Sequence, residues 1–172
     1  MKAWVAAAVS IAIAASIAVA PSASADQGSV DGTQPVLAMA AYTTCAIRES
    51  GQVYCWGNNE NGELGRGNTA PSPYVAPVSG LTAAIGIYGD VWAFCALLED
   101  RTVRCWGYGG SGTLGDGLGT SSFVPVTVSG LNHVTSVAIG YGAACATKQD
   151  GSVWCWGART GPRFRPSGCP YT

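Results

Sequence analysis

Charge is what this sequence has least of. Only nine of its 172 residues are Lys or Arg and ten are Asp or Glu, and there is a single histidine, His133. A formal charge of −1 gives no field to hold a polyanion, so nucleic acid and an anionic membrane surface are excluded as charge-driven partners. No convincing amphipathic helical period appears after the N-terminal segment, which argues against a helical bundle. The 24 glycines follow no three-residue period, so the chain is not collagen-like. At 48% apolar residues it is too hydrophobic to be a disordered polymer. What remains is a folded, loop-rich chain no larger than one small domain.

The N-terminus is an address. Met1 and Lys2 precede an uncharged, Ala-dominated run from Ala3 to Ala20, and Pro21 breaks it before Ala23-Ser24-Ala25. This reads as a secretory signal peptide, residues 1–25, with a small-residue cleavage site. The alternative is an uncleaved anchor, the one route by which this chain would meet a membrane. Residues 26–35 form a short linker, and the expected localisation is secreted or extracellular.

Cysteines fall at 45, 55, 95, 105, 145 and 155, three pairs of internal spacing ten at a period of fifty, with a seventh at 169. Other residues keep the register: Ala46, Ala96 and Ala146; Val53, Val103 and Val153; and Trp-Gly at 56–57, 106–107 and 156–157. Such a period signals a solenoid, propeller or array. Within a unit, Cys45 to Cys55 and its copies read as a β-hairpin around a Gly-containing turn. If Glu49-Ser50-Gly51 is a three-residue loop, its third position needs a positive φ. That suits Gly51 and Gly151 and strains Arg101. The same register sets Cys45 opposite Cys55, Cys95 opposite Cys105 and Cys145 opposite Cys155, within reach of a disulfide. Nine intervening residues are unlike a zinc knuckle. Three structural disulfides are therefore expected in an oxidising compartment. Apolar runs at Tyr74–Val78, Phe123–Val128, Ala84–Ile87 and Val134–Ile139 supply about two further strands per unit. Four short antiparallel strands per fifty residues make one propeller blade.

The string Cys55-Trp56-Gly57-Asn58-Asn59-Glu60-Asn61-Gly62-Glu63-Leu64-Gly65-Arg66-Gly67 and its companion from Cys105 to Gly117 resemble the repeat of the regulator of chromosome condensation family. Ser79-Gly80-Leu81 and Ser129-Gly130-Leu131 fit the same repeat. The resemblance covers residues 36–157 and implies blades of a seven-bladed β-propeller, so the fold class is all-β with an incomplete ring of about three blades. Two departures stand out: Thr43, Ala93 and Ala143 occupy a position where the family often has His, and residues 158–172 abandon the pattern for an atypical tail holding Cys169. Three blades cannot close such a ring, so self-association through open blade edges is an expected partner mode. The tail also admits a truncated or frame-shifted gene remnant.

Other constellations have bland readings. Gly110, Gly112 and Gly115 satisfy a G-x-G-x-x-G pattern but belong to repeated blade turns with no helix to present amides to phosphate. Asn58 to Glu63 fails the ligand spacing of a calcium loop. His133 has no nucleophile elbow to serve, and Glu63 and Asp116 are expected to be exposed turn acids. The Trp of each Trp-Gly step is expected in the core between blades. Tyr88, Trp92, Tyr108 and Tyr141 lie in or beside Gly-rich segments and are not repeated residue for residue, the pattern of interface anchors. The resulting expectation is a non-catalytic protein-binding module with no cofactor or metal, its partner another extracellular or cell-surface protein. An accessory glycan- or cell-wall-binding part of an extracellular enzyme is the alternative. Nuclear members of the resembled family are exchange factors for a small GTPase, an activity at odds with secretion.

Overall fold

A computed structural model of the chain describes residues 36–157. The segments assigned to signal peptide, linker and tail, with Cys169, lie outside the described residues. Strands β1 (Leu37–Met39), β2 (Thr43–Ile47), β3 (Val53–Gly57) and β4 (Ser72–Pro77) form an antiparallel sheet in chain order. So do β5 (Ala84–Gly89), β6 (Ala93–Leu98), β7 (Val103–Gly107) and β8 (Ser122–Thr127). A third sheet holds β9 (Val134–Gly140), β10 (Ala143–Lys148) and β11 (Val153–Gly157). These are three blades, and the described residues contain no helix. The strands expected from the apolar runs agree with β4, β5, β8 and β9 to within about two residues at each end.

The hairpin register is the expected one. Cys45 faces Cys55, Cys95 faces Cys105 and Cys145 faces Cys155, and each pair is joined by a disulfide. Each closes a short loop, so in the chain-entropy model it stabilises the fold by about 2–3 kcal/mol. At the third loop position Gly51 has φ 69° and Gly151 φ 81°, and Arg101 is forced to φ 64°. The middle copy is thus the strained one. Beside it, the Asp100 carboxylate accepts hydrogen bonds from the Thr102 hydroxyl (2.6 Å) and amide (2.9 Å). Those bonds hold its pKa below the usual carboxylate value.

Side chains alternate across each strand, and the two faces of the middle blade serve two different cores. Phe94, Ala96 and Trp106 pack toward blade 1, against Cys45, Val53, Leu64 and Val78. Cys95, Leu97, Val103 and Cys105 pack toward blade 3, against Val134, Val137 and Ala146, with Trp156 at the edge. The hydrophobic core therefore lies between blades. Two of the Trp-Gly tryptophans reach back into the preceding blade: Trp106 Nε1 donates to the Glu63 carbonyl (2.7 Å) and Trp156 Nε1 to the Thr113 carbonyl (2.8 Å). The ring crosses directly over a glycine. A Cβ on Gly65 would sit 3.1 Å from Trp106 and 2.7 Å from Val78, and one on Gly115 would sit 2.9 Å from Trp156. Trp106 is fully buried and stacks on Phe94, ring centroids 5.9 Å apart. Trp56, in the first blade described, is half-buried.

Two outcomes follow for stability. Trp106→Phe keeps most of the ring and loses the indole donor, and is expected to cost about 1–3 kcal/mol; Trp106→Ala is expected to cost about 3–5 kcal/mol. Chemical denaturation measures both, and a Trp106→Phe cost near zero would show that the hydrogen bond contributes nothing. Arg101→Gly is expected to stabilise by about 0.5 kcal/mol. It relieves about 1–2 kcal/mol of left-handed strain and gives back about 0.4–1 kcal/mol of unfolded-chain freedom. A lowered denaturation midpoint would refute the strain assignment.

Candidate functional site

The turns joining the first two strands of each blade all lie at one end of the sheets, and polar contacts chain them together. Ala41 N donates to the Val91 carbonyl (3.2 Å), linking the turns of blades 1 and 2. The link from blade 2 to blade 3 is a side chain. Asp90 is 9% exposed, and its Oδ1 accepts from its neighbour Val91 N (2.6 Å) and from Tyr141 N (2.8 Å). Its Oδ2 accepts from Gly142 N (2.8 Å). These bonds hold Tyr141 at φ 52°, a left-handed conformation that a bulky residue keeps only when its surroundings impose it. Thr113 adds a second link, its hydroxyl donating to the Gly142 carbonyl (2.9 Å).

Between these turns and the loop after β7 lies a cavity of about 200 Å³, lined by Asp90, Trp92, Tyr108, Ser111, Thr113 and Tyr141, among others. Trp92 and Tyr108 meet edge to face, ring centroids 5.9 Å apart at 69°. The main chain fixes the pair, since Tyr108 N donates to the Trp92 carbonyl (2.9 Å). Glycine makes room for the Tyr108 ring: a Cβ on Gly110 would sit 2.3 Å from its hydroxyl and 2.6 Å from Cζ. Tyr141 is 81% exposed, Trp92 49% and Tyr108 36%. The cavity thus has rigid aromatic walls, an exposed aromatic rim and one buried carboxylate. A larger depression of about 500 Å³ at the other end, around Gly80, Glu99, Asp100 and Arg104, has no aromatic lining.

Of the four aromatics singled out from the sequence, the structure brings together Trp92, Tyr108 and Tyr141. Tyr88 lies elsewhere, half-buried on β5 against the second core. Burial raises its pKa, partly offset by a hydrogen bond to the backbone of Val137. Glu63, expected to be an exposed turn acid, is 2% exposed. The reason is local: Asn61 supplies a backbone N–H to Oε2 (2.9 Å) and a side-chain N–H to Oε1 (2.8 Å). Asp116, also expected to be exposed, is half-buried and caps a turn by accepting from Leu118 N (3.0 Å). Asn59 is buried and organises the loop after β3, donating to the Asn68 and Ala70 carbonyls (2.9 Å each) and accepting from Leu64 N (2.8 Å). His133 is exposed and serves through its backbone. At φ 54° its carbonyl accepts from Gln149 N, as its copy Ala83, at φ 58°, accepts from Glu99 N.

Sequence reasoning missed Asp90, Thr113 and Tyr42. Asp90 stands where the other repeats have Ala40 and Gly140, so the period gave it no signal. Tyr42 was within reach, because it occupies the position of Trp92 one repeat earlier and is 81% exposed.

The fold and the inter-blade tryptophan step define a β-propeller repeat protein. Models of the regulator of chromosome condensation (RCC1) repeat match residues 40–63 and residues 102–147 of the chain. Among solved structures it resembles a chain in the complex of Kap60 bound to yeast RCC1 (Prp20), at 24% identity and TM-score 0.61, over 70% of this chain and 29% of that one. Prp20p from Saccharomyces cerevisiae, described with its binding to Gsp1p and histones, gives 24% identity and TM-score 0.61, over 70% and 30% of the two chains. Human WBSCR16 gives 22% and 0.62, over 70% and 32%. At these identities the likeness is one of fold, and this chain spans about three tenths of the length of those it matches. No curated protein matches the chain.

The packing of Tyr108 over Gly110 is testable. Gly110→Ala is expected to push the Tyr108 ring off Trp92, shifting the Trp92 indole resonance, with stability changed by no more than about 0.5 kcal/mol. An unmoved indole resonance would show that the ring does not depend on that glycine.

Proposed function

We propose that this chain is a secreted, non-catalytic protein-binding module that engages another extracellular protein through the aromatic end of blades 2 and 3. The observation that carries this reading is the convergence of Trp92, Tyr108 and Tyr141 on one cavity. Their turns are held by Asp90 and Thr113. Tyr and Trp are the side chains most often found as interface hot spots. Rigid presentation also reduces the ordering cost of association. The N-terminal pattern of residues 1–25 and the three disulfides favour an oxidising, extracellular compartment. Yeast Prp20p, which shares the fold, is described with its binding to Gsp1p and histones, a precedent for propellers of this type as protein binders.

The test is binding of the purified chain, at micromolar concentration, to a panel of purified secreted enzymes. At least one is expected to bind. The triple variant Trp92→Ala, Tyr108→Ala, Tyr141→Ala is then expected to weaken that binding by about thirtyfold or more, the scale of one lost hot spot. No binding across the panel, or binding indifferent to the triple variant, would sink the reading. Retention on insoluble glycan that is lost with Trp92 would transfer the site to a sugar-binding role.

A further inference from the structure

We infer that the cavity between blades 2 and 3 receives the guanidinium of an arginine side chain, which the reading above places on the partner protein. Asp90 lines the cavity and is buried, its carboxylate bonded to the amides of two further lining residues, Tyr141 and Gly142. The hydrogen-bond donors that reach it, Val91 N, Tyr141 N and Gly142 N, are all backbone amides. These orient the carboxylate and supply no counter-charge. Among the described residues, no lysine, arginine or histidine lines the cavity. Oδ2 accepts from a single amide, so it retains an acceptor site for one more donor.

The walls suit the same guest. Trp92, Tyr108 and Tyr141 surround the opening, and aromatic faces attract cations, arginine more often than lysine. A guanidinium is planar, stacks on rings and is more weakly hydrated than an ammonium, so it gives up water at lower cost on entering a partly buried site. It would meet ring faces at the walls and a charge-assisted hydrogen bond at Asp90. A neutral apolar guest would satisfy the rings and leave the carboxylate desolvated without a counter-charge, which is unfavourable. Charge complementarity therefore selects among the side chains that a cavity of about 200 Å³ would otherwise admit.

The experiment uses the disulfide-bonded chain and two probes of matched shape, N-acetyl-arginine methylamide and its uncharged isostere N-acetyl-citrulline methylamide. Binding is followed by NMR at the Trp92 indole and at the Tyr141 and Gly142 amides. The arginine probe is expected to shift all three with a dissociation constant on the order of millimolar, as befits a single side chain, and the citrulline probe to shift none. Added salt should weaken the response. Asp90→Asn should weaken it by about tenfold or more, the effect of losing a charge-assisted hydrogen bond. The probe comparison is made on the unaltered chain, so it holds even if Asp90→Asn disturbs the turn.

Equal response to both probes, or no response to either, overturns the inference. Arginine-selective shifts with no protein bound in the panel would retain the guanidinium site and remove the protein-binding reading. Panel binding that depends on Trp92 without arginine-selective shifts would do the reverse.

Discussion

One indole hydrogen bond per blade boundary sets the geometry of this molecule. The three sheets share no strand, so no backbone ladder runs from blade to blade. Their relative placement rests on side chains and turn contacts, and the Trp-Gly step supplies the most buried of these. At each boundary the indole N–H satisfies a loop carbonyl of the preceding blade, Glu63 for Trp106 and Thr113 for Trp156. It seals an apolar interface while pairing its one polar atom, which is the condition for burying tryptophan without penalty. Gly65 and Gly115 follow as a requirement, because a side chain there would occupy the ring's place. The recurrence of Leu-Gly eight residues after Trp56 and Trp106 is thus the complement, in one blade, of the tryptophan of the next.

Because the cores lie between blades, burial follows position in the stack. The middle blade has neighbours on both faces, and every residue of β6 is buried. In blade 3 every residue of β11 is half-buried. The same Cys-Trp-Gly string is therefore core in one blade and partly exposed in another. This is how a repeat stack distributes its stability, with interfaces contributing as much as the units themselves.

What the sequence revealed was whatever the fifty-residue period repeats. The hairpins, the disulfide partners, the facing of Trp away from Cys and even the strain at Arg101 follow from register, since a side chain's face is decided by parity along the strand. What stayed hidden depends on contacts between blades at positions the repeats do not share. Asp90 is one, because its partners Tyr141 and Gly142 lie about fifty residues away in chain and belong to a turn whose own sequence differs. Glu63 is another: its burial follows from the local bonds of Asn61, which composition alone does not show. Tyr88 shares with the cavity aromatics a place beside a Gly-rich segment and the lack of a repeat copy. The parity of β5 instead turns it toward Val137 and the second core.

The division between repeated and unrepeated residues also bears on function. Repeated positions fix the blades to one another, so variation there is limited by packing. Turn positions at the end of the sheets are free of that limit once something else holds the turns, and Asp90 and Thr113 do this with hydrogen bonds confined to the boundary of blades 2 and 3. The equivalent turns of blades 1 and 2 are linked by a backbone bond from Ala41 to Val91 at 3.2 Å, with no side chain bridging them among the described residues. The boundary whose turns are tied by side chains is also the one that carries the aromatic cavity. Rigidity has been placed where a left-handed tyrosine and a buried carboxylate must be held in position. Pre-organisation of that kind lowers the entropy lost on binding. It has no comparable value for a turn that only joins two strands.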